Sequence, residues 1–119
     1  MAENIIKIKS FNFALRIVKL YQFLCSDKKE FILSKQLLRS GTSIGAMVRE
    51  SEQAESKADF IHKLAIAQKE ANESDYWLEL LFQSEYLNKS QHQSLKSDIV
   101  EINKILASII ISTKQKLNK

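Results

Sequence analysis

No proline occurs in this chain, and its two glycines, Gly41 and Gly45, stand four residues apart. Proline and glycine are the usual punctuation of turns and loops, so nearly the whole chain is free to be helical. Glycine within a helix costs about 1 kcal/mol relative to alanine. Two on one helical face therefore point to close helix packing, with a neighbour approaching at Gly41 and Gly45.

Hydrophobic periodicity divides the 119 residues into four helices. The first is expected over about 10–26. Phe11, Ala14, Leu15, Val18, Tyr21 and Cys25 form its apolar arc, which Phe13, Ile17, Leu20 and Leu24 widen past half the circumference. Asn12, Arg16, Lys19 and Gln22 fill the polar strip. So wide an arc exceeds what one bundle core needs. The second helix, about 29–54, follows a capping-box candidate, Asp27 with Glu30. Ser34, Leu37, Leu38, Gly41, Ile44, Gly45 and Val48 share one face; Lys35, Arg39, Ala46, Glu50 and Gln53 lie opposite.

The third helix, about 56–85, opens on the capping pair Ser56 and Asp59. Phe60, Ile61, Leu64, Ala67, Ala71, Leu78 and Phe82 form one face, while Ile66, Tyr76, Trp77 and Leu80 form another. A helix with one buried face has no need of Tyr76 and Trp77 on a second one. Either the chain folds around both sides of this helix or a second subunit covers one of them; on the second account these four are the candidate oligomer interface. The fourth helix, about 90–117, carries the stripe Leu95, Ile99, Ile102, Ile105, Leu106, Ile109, Ile110 and Thr113, with Val100, Ala107 and Ile111 behind it. Ser90 with Gln93 is its capping candidate. Short connections between long amphipathic helices predict one domain of all-α class, an antiparallel up-down-up-down four-helix bundle.

Charge is unevenly spread. The formal net charge is +4, but residues 1–49 carry nine basic and three acidic side chains, residues 50–85 three basic and nine acidic, and residues 86–119 six basic and two acidic. Neighbouring helices can pair these charges, and a basic surface can also meet phosphate. Arg49, Glu50 and Glu52, near the end of the second helix, are candidates for ion pairs with Lys63, Lys69, Glu70 and Glu73 on the third.

Other chemistries have little support. His62 and His92 are the only histidines, and no Cys/His cluster has metal-ligand spacing. Glu70 and Glu73 are paired carboxylates without a nearby histidine. Cys25 reads as a core thiol, and a lone cysteine suits a reducing cytosol. No cofactor, metal or small-molecule substrate is expected. No apolar run is long enough to span a membrane, and Met1–Lys9 alternates charge with apolar residues unlike a signal peptide. The expected location is cytoplasmic.

Three strings together are specific: Leu38-Arg-Ser-Gly-Thr-Ser-Ile-Gly-Ala46, Asp59-Phe-Ile-His-Lys-Leu-Ala-Ile-Ala67 and Lys69-Glu-Ala-Asn-Glu-Ser-Asp-Tyr-Trp-Leu-Glu-Leu-Leu81. They resemble the bacterial four-helix-bundle proteins encoded in 23S ribosomal-RNA intervening sequences. That family includes the accessory variability protein of diversity-generating retroelements. The resemblance implies a left-handed up-down bundle, assembled as a homopentameric barrel, without enzymatic activity. In the retroelement branch it implies a basic surface that binds a reverse transcriptase and nucleic acid. Arg39, Lys63 and Lys69 stand within the matching strings and become nucleic-acid-binding candidates; Arg16, Lys19 and Lys35 join them from charge pattern alone. Trp77, in the matching Tyr-Trp-Leu string, is assigned to packing or subunit contact. Five copies at +4 each would carry about +20 around a ring. The expected function is RNA or DNA binding largely without sequence preference. The alternative is a protein-interaction scaffold, for example one docking a reverse transcriptase.

Overall fold

In the computed structural model, which describes residues 2–118, helices α1 (Ala2–Ser26), α2 (Leu33–Ser51), α3 (Lys57–Gln83) and α4 (Lys89–Leu117) follow in order. No strand occurs among the described residues. Each helix packs on its chain neighbours, and α4 closes back on α1. Cross-helix partners give the directions. Lys7 meets Glu52 and Cys25 meets Ser34, so α1 and α2 run antiparallel. Lys63 meets Glu50 and Ser74 meets Ser40, so α2 and α3 do too. Asp75 to Lys96 and Asn72 to Asn103 set the same relation for α3 and α4. The bundle measures 52 × 22 × 20 Å.

The helix ends differ from those read in the sequence. α1 begins at Ala2, not near residue 10. The stretch Ile5-Ile6-Lys7-Ile8-Lys9 looks like a charged zigzag, but at about 100° per residue it puts Ile6 in the core below Phe13, Ile17, Leu20 and Leu24. The buried stripe of α1 is this one. Phe11, Leu15 and Val18, expected in the main apolar arc, point outward, and Cys25 is only half-buried.

α2 begins at Leu33, because Lys29 adopts a left-handed φ of 55° and breaks the helical path. Asp27 and Glu30 do not form a capping box. The Glu30 carboxylate caps α2 directly, accepting from the amides of Ser34 at 2.7 Å, Leu33 at 3.0 Å and Ile32 at 3.2 Å. Burial pushes this carboxyl up, but those amides and the Ser34 side chain outweigh it and leave it below the ordinary carboxylate range. Its contribution to stability is therefore full above the unfolded-state pKa and is lost as pH falls through the lower folded value. Ser56 caps α3, accepting from the Asp59 amide at 3.0 Å. The α4 box sits two residues earlier than Ser90: Asn88 Oδ1 accepts from the Gln91 amide, and Gln91 Oε1 from the Asn88 amide. Asn is a strong N-cap, and Gln serves three residues on.

The two glycines face α1. A Cβ on Gly41 would lie 2.8 Å from Ile17 Cγ1 and 3.0 Å from Cγ2, whereas one on Gly45 would lie 3.3 Å from the Ser10 carbonyl oxygen. Ile17 is fully buried and branched at Cβ, so it has little room to yield. Overpacking typically costs about 1–3 kcal/mol, against the gain of about 1 kcal/mol for alanine in a helix. Gly41→Ala is thus expected to lower stability by about 1 kcal/mol, and Gly45→Ala to change it by less than about 0.5 kcal/mol. Urea unfolding midpoints check the order; equal midpoints would mean that α1 and α2 separate without cost.

Candidate nucleic-acid interface

The six candidate cations do not form one patch. Arg16 is drawn across to α4, with Nη1 2.6 Å from Asp98 and Nη2 2.8 Å from the Ser94 hydroxyl. Lys63 is bound to Glu50 at 2.9 Å, and that hydrogen bond, with the charge of Glu50, raises its pKa. Both charges are already matched by a carboxylate. Arg39 holds Glu73 only loosely, at 3.8 Å. Lys19, Lys35 and Lys69 are exposed and make no ion pair among the described residues. Of the pairs anticipated between α2 and α3, Lys63 takes Glu50, while Glu52 pairs with Lys7. Arg49 stacks over Phe11, its guanidinium carbon 5.8 Å from the ring centre.

Arg39 and Lys69 are the two candidates that the structure brings together. Arg39 reaches from α2 into a shallow groove along α3, lined by Ala65, Gln68, Lys69, Asn72, Glu73, Tyr76 and Trp77. The helical repeat explains the strip, since residues three and four apart share a face. Ser40 and Ser74 set the register by meeting at 2.9 Å in the buried α2/α3 seam. Gln68 and Asn72 are lining residues that the charge pattern does not single out.

Tyr76 and Trp77 belong to this groove. Their rings meet edge to face, 5.1 Å between centres and 73° between planes. Trp77 also packs on the core, while Tyr76 is 58% exposed. Ile66 and Leu80 are half-buried and do not line the groove. Beside it, burial raises the Glu70 carboxyl above the ordinary range; hydrogen bonding and charge from Glu73 add to this, and Arg39 and Lys69 oppose it. Glu70 Oε1 is buried without a partner. Two carboxyls, Glu70 and Glu73, thus stand beside two cations, Arg39 and Lys69. No group of three or more His, Cys, Asp and Glu side chains that could hold a metal occurs among the described residues. His62 is exposed, and His92 stacks on Phe82 at 4.5 Å.

The most extensive exposed apolar face lies on α1. Ile5, Ile8, Phe11, Leu15 and Val18 are 37–60% exposed and recur at helical spacing directly opposite the core stripe. The excess width of this helix is visible in its sequence, but Ile5 and Ile8 precede the start expected near residue 10 and so fall outside that arc. On α4, Val100 and Ile111 are also exposed. No helix among the described residues is long and apolar enough to cross a membrane.

A family model described as 23S rRNA-intervening sequence protein matches residues 2–108. Among solved structures, the chain resembles a protein of unknown function from the S23 ribosomal protein family of Bacteroides thetaiotaomicron VPI-5482. Identity is 61% over 92% of this chain and 98% of that one, with a TM-score of 0.92. No curated protein matches.

Proposed function

This chain belongs to the 23S rRNA-intervening sequence protein family, and from that membership we propose a non-enzymatic, cytoplasmic helical bundle that binds RNA or DNA largely without sequence preference. The observation that carries the reading is the fate of the charges. Among the described residues, six ion pairs each match one cation to one carboxylate. The surplus of +4 is therefore left to unpaired groups, among them Lys19, Lys35 and Lys69. In this reading the exposed α1 stripe is covered by further copies of the chain. The resemblance to the retroelement accessory proteins suggests a closed ring of five, which would multiply the unpaired cations around one axis.

Phosphate contacts release counterions, so affinity for a labelled RNA or DNA is expected to fall more than about tenfold between ~50 and ~200 mM salt. Fluorescence anisotropy measures this directly. A flat salt response, or no binding at the low end, rejects the reading.

A second reading has its own support. The α1 stripe is apolar enough to dock another protein, for example a reverse transcriptase, with no direct nucleic-acid role. That reading gains if the chain proves monomeric and changes to Lys19, Lys35 and Lys69 have no consequence.

A further inference from the structure

We propose that the α2/α3 groove takes an unpaired nucleotide of a single strand, its base laid on the exposed ring of Tyr76 and its phosphate held by Arg39 and Lys69. This rests on the nucleic-acid reading above and narrows it to one place and one strand form.

The groove places the needed groups in sequence along one helix. Gln68, Lys69, Asn72 and Tyr76 share a face of α3, spanning about 12 Å of helix axis. Tyr76 presents its ring to solvent while Trp77 steadies it edge-on from the core side. A stacking platform of that kind tolerates any base, because every base has a π-face. The Gln68 amide can both donate and accept at a base edge, while Asn72, whose Oδ1 accepts from Asn103 on α4, keeps its amide NH2 as a donor.

Arg39 lies across the groove, and its 3.8 Å separation from Glu73 is too long for a tight hydrogen bond. A phosphate offers the guanidinium a better, bidentate partner. Lys69 supplies a second charge from the same wall. Glu70 does not line the groove, and its Oε1 is buried beside it. A duplex keeps its bases stacked inside, out of reach of Tyr76; unpaired bases can splay onto an aromatic ring.

Trp77 is the only tryptophan in the chain, so tryptophan emission, excited selectively beyond the tyrosine absorption band, reports on this groove alone. The full chain is titrated at low salt with a uridine octanucleotide and with a blunt duplex of equal length. The single strand is expected to quench Trp77. Tyr76→Ala, at an exposed position with the fold checked by circular dichroism, should weaken single-strand binding about tenfold, the effect of losing one stacked base. Tyr76→Phe should retain wild-type affinity, and the duplex should bind all three proteins alike. Equal single-strand affinity in Tyr76→Ala, or unchanged Trp77 emission at saturation, overturns the proposal. If salt-dependent binding persists in that case, the broader nucleic-acid reading stands. Absence of binding to either form removes both.

Discussion

Phe11→Asp combined with Leu15→Asp is expected to convert the protein into monomers while leaving its helices intact. The two side chains stand near the centre of the α1 stripe, each about half exposed. The core residues Phe13, Ile17, Leu20 and Leu24 lie on the opposite side of the same helix, so the bundle has no reason to unfold. Full burial of a side chain this size is worth about 1.5–3 kcal/mol, and half of that remains available to a partner surface. An aspartate buried without a partner costs several kcal/mol more, a penalty that falls on Leu15→Asp, since Arg49 stands over position 11. The loss recurs at every subunit contact, so the assembly should disappear rather than weaken. Light scattering reads the mass and circular dichroism the helix content. A wild-type chain that is already monomeric at micromolar concentration would sink the assembly outright.

The same experiment can separate types of contact. A ring needs two unlike patches on each subunit, whereas a two-fold dimer joins one patch to itself. Val100 and Ile111 on α4 are the natural second patch, exposed and directed away from the core. Val100→Asp with Ile111→Asp should therefore also yield monomers. Mixing the α1 and α4 variants should then restore a heterodimer, because each retains the patch that the other lacks. If α1 pairs only with α1, mixing restores nothing and the α4 variant stays assembled.

What the sequence conceals is tertiary register. The strip of Lys69, Asn72 and Tyr76 follows from helical spacing on one element, and the periodic stripes show four helices without saying which faces meet. That Arg39 reaches this strip does not follow from either. It depends on the Ser40–Ser74 contact, and serines carry no pattern that distinguishes a buried seam from a solvated face. The charge asymmetry is visible by region, but the division into paired and unpaired cations depends on individual partners. Arg16 and Lys19 are three residues apart, yet one finds Asp98 and the other no carboxylate. The helix starts elude spacing rules for a local reason. Glu30 caps α2 with its own side chain after a left-handed Lys29, an arrangement outside the usual capping patterns.

That division of cations makes a sharp prediction. Neutralising Lys19, Lys35 and Lys69 to glutamine is expected to weaken nucleic-acid binding about a hundredfold near physiological salt, and to flatten the salt dependence by about one unit of slope for each phosphate no longer neutralised. Each of the three lacks an ion pair among the described residues, so each is available to phosphate without first giving up a carboxylate. The paired double variants are the control. Arg16→Gln with Asp98→Asn, and Lys63→Gln with Glu50→Gln, remove one charge of each sign from ion pairs of 2.6 and 2.9 Å. Net charge is unchanged, and an exposed pair of this kind contributes only about 0–1 kcal/mol to folding. Affinity and salt slope should therefore remain near wild type in both. If the paired variants lose as much binding as the triple variant, the ion-paired groups are themselves the binding surface, and the assignment of Lys19, Lys35 and Lys69 is wrong. If none of the variants changes binding, phosphate is not what this basic surface meets.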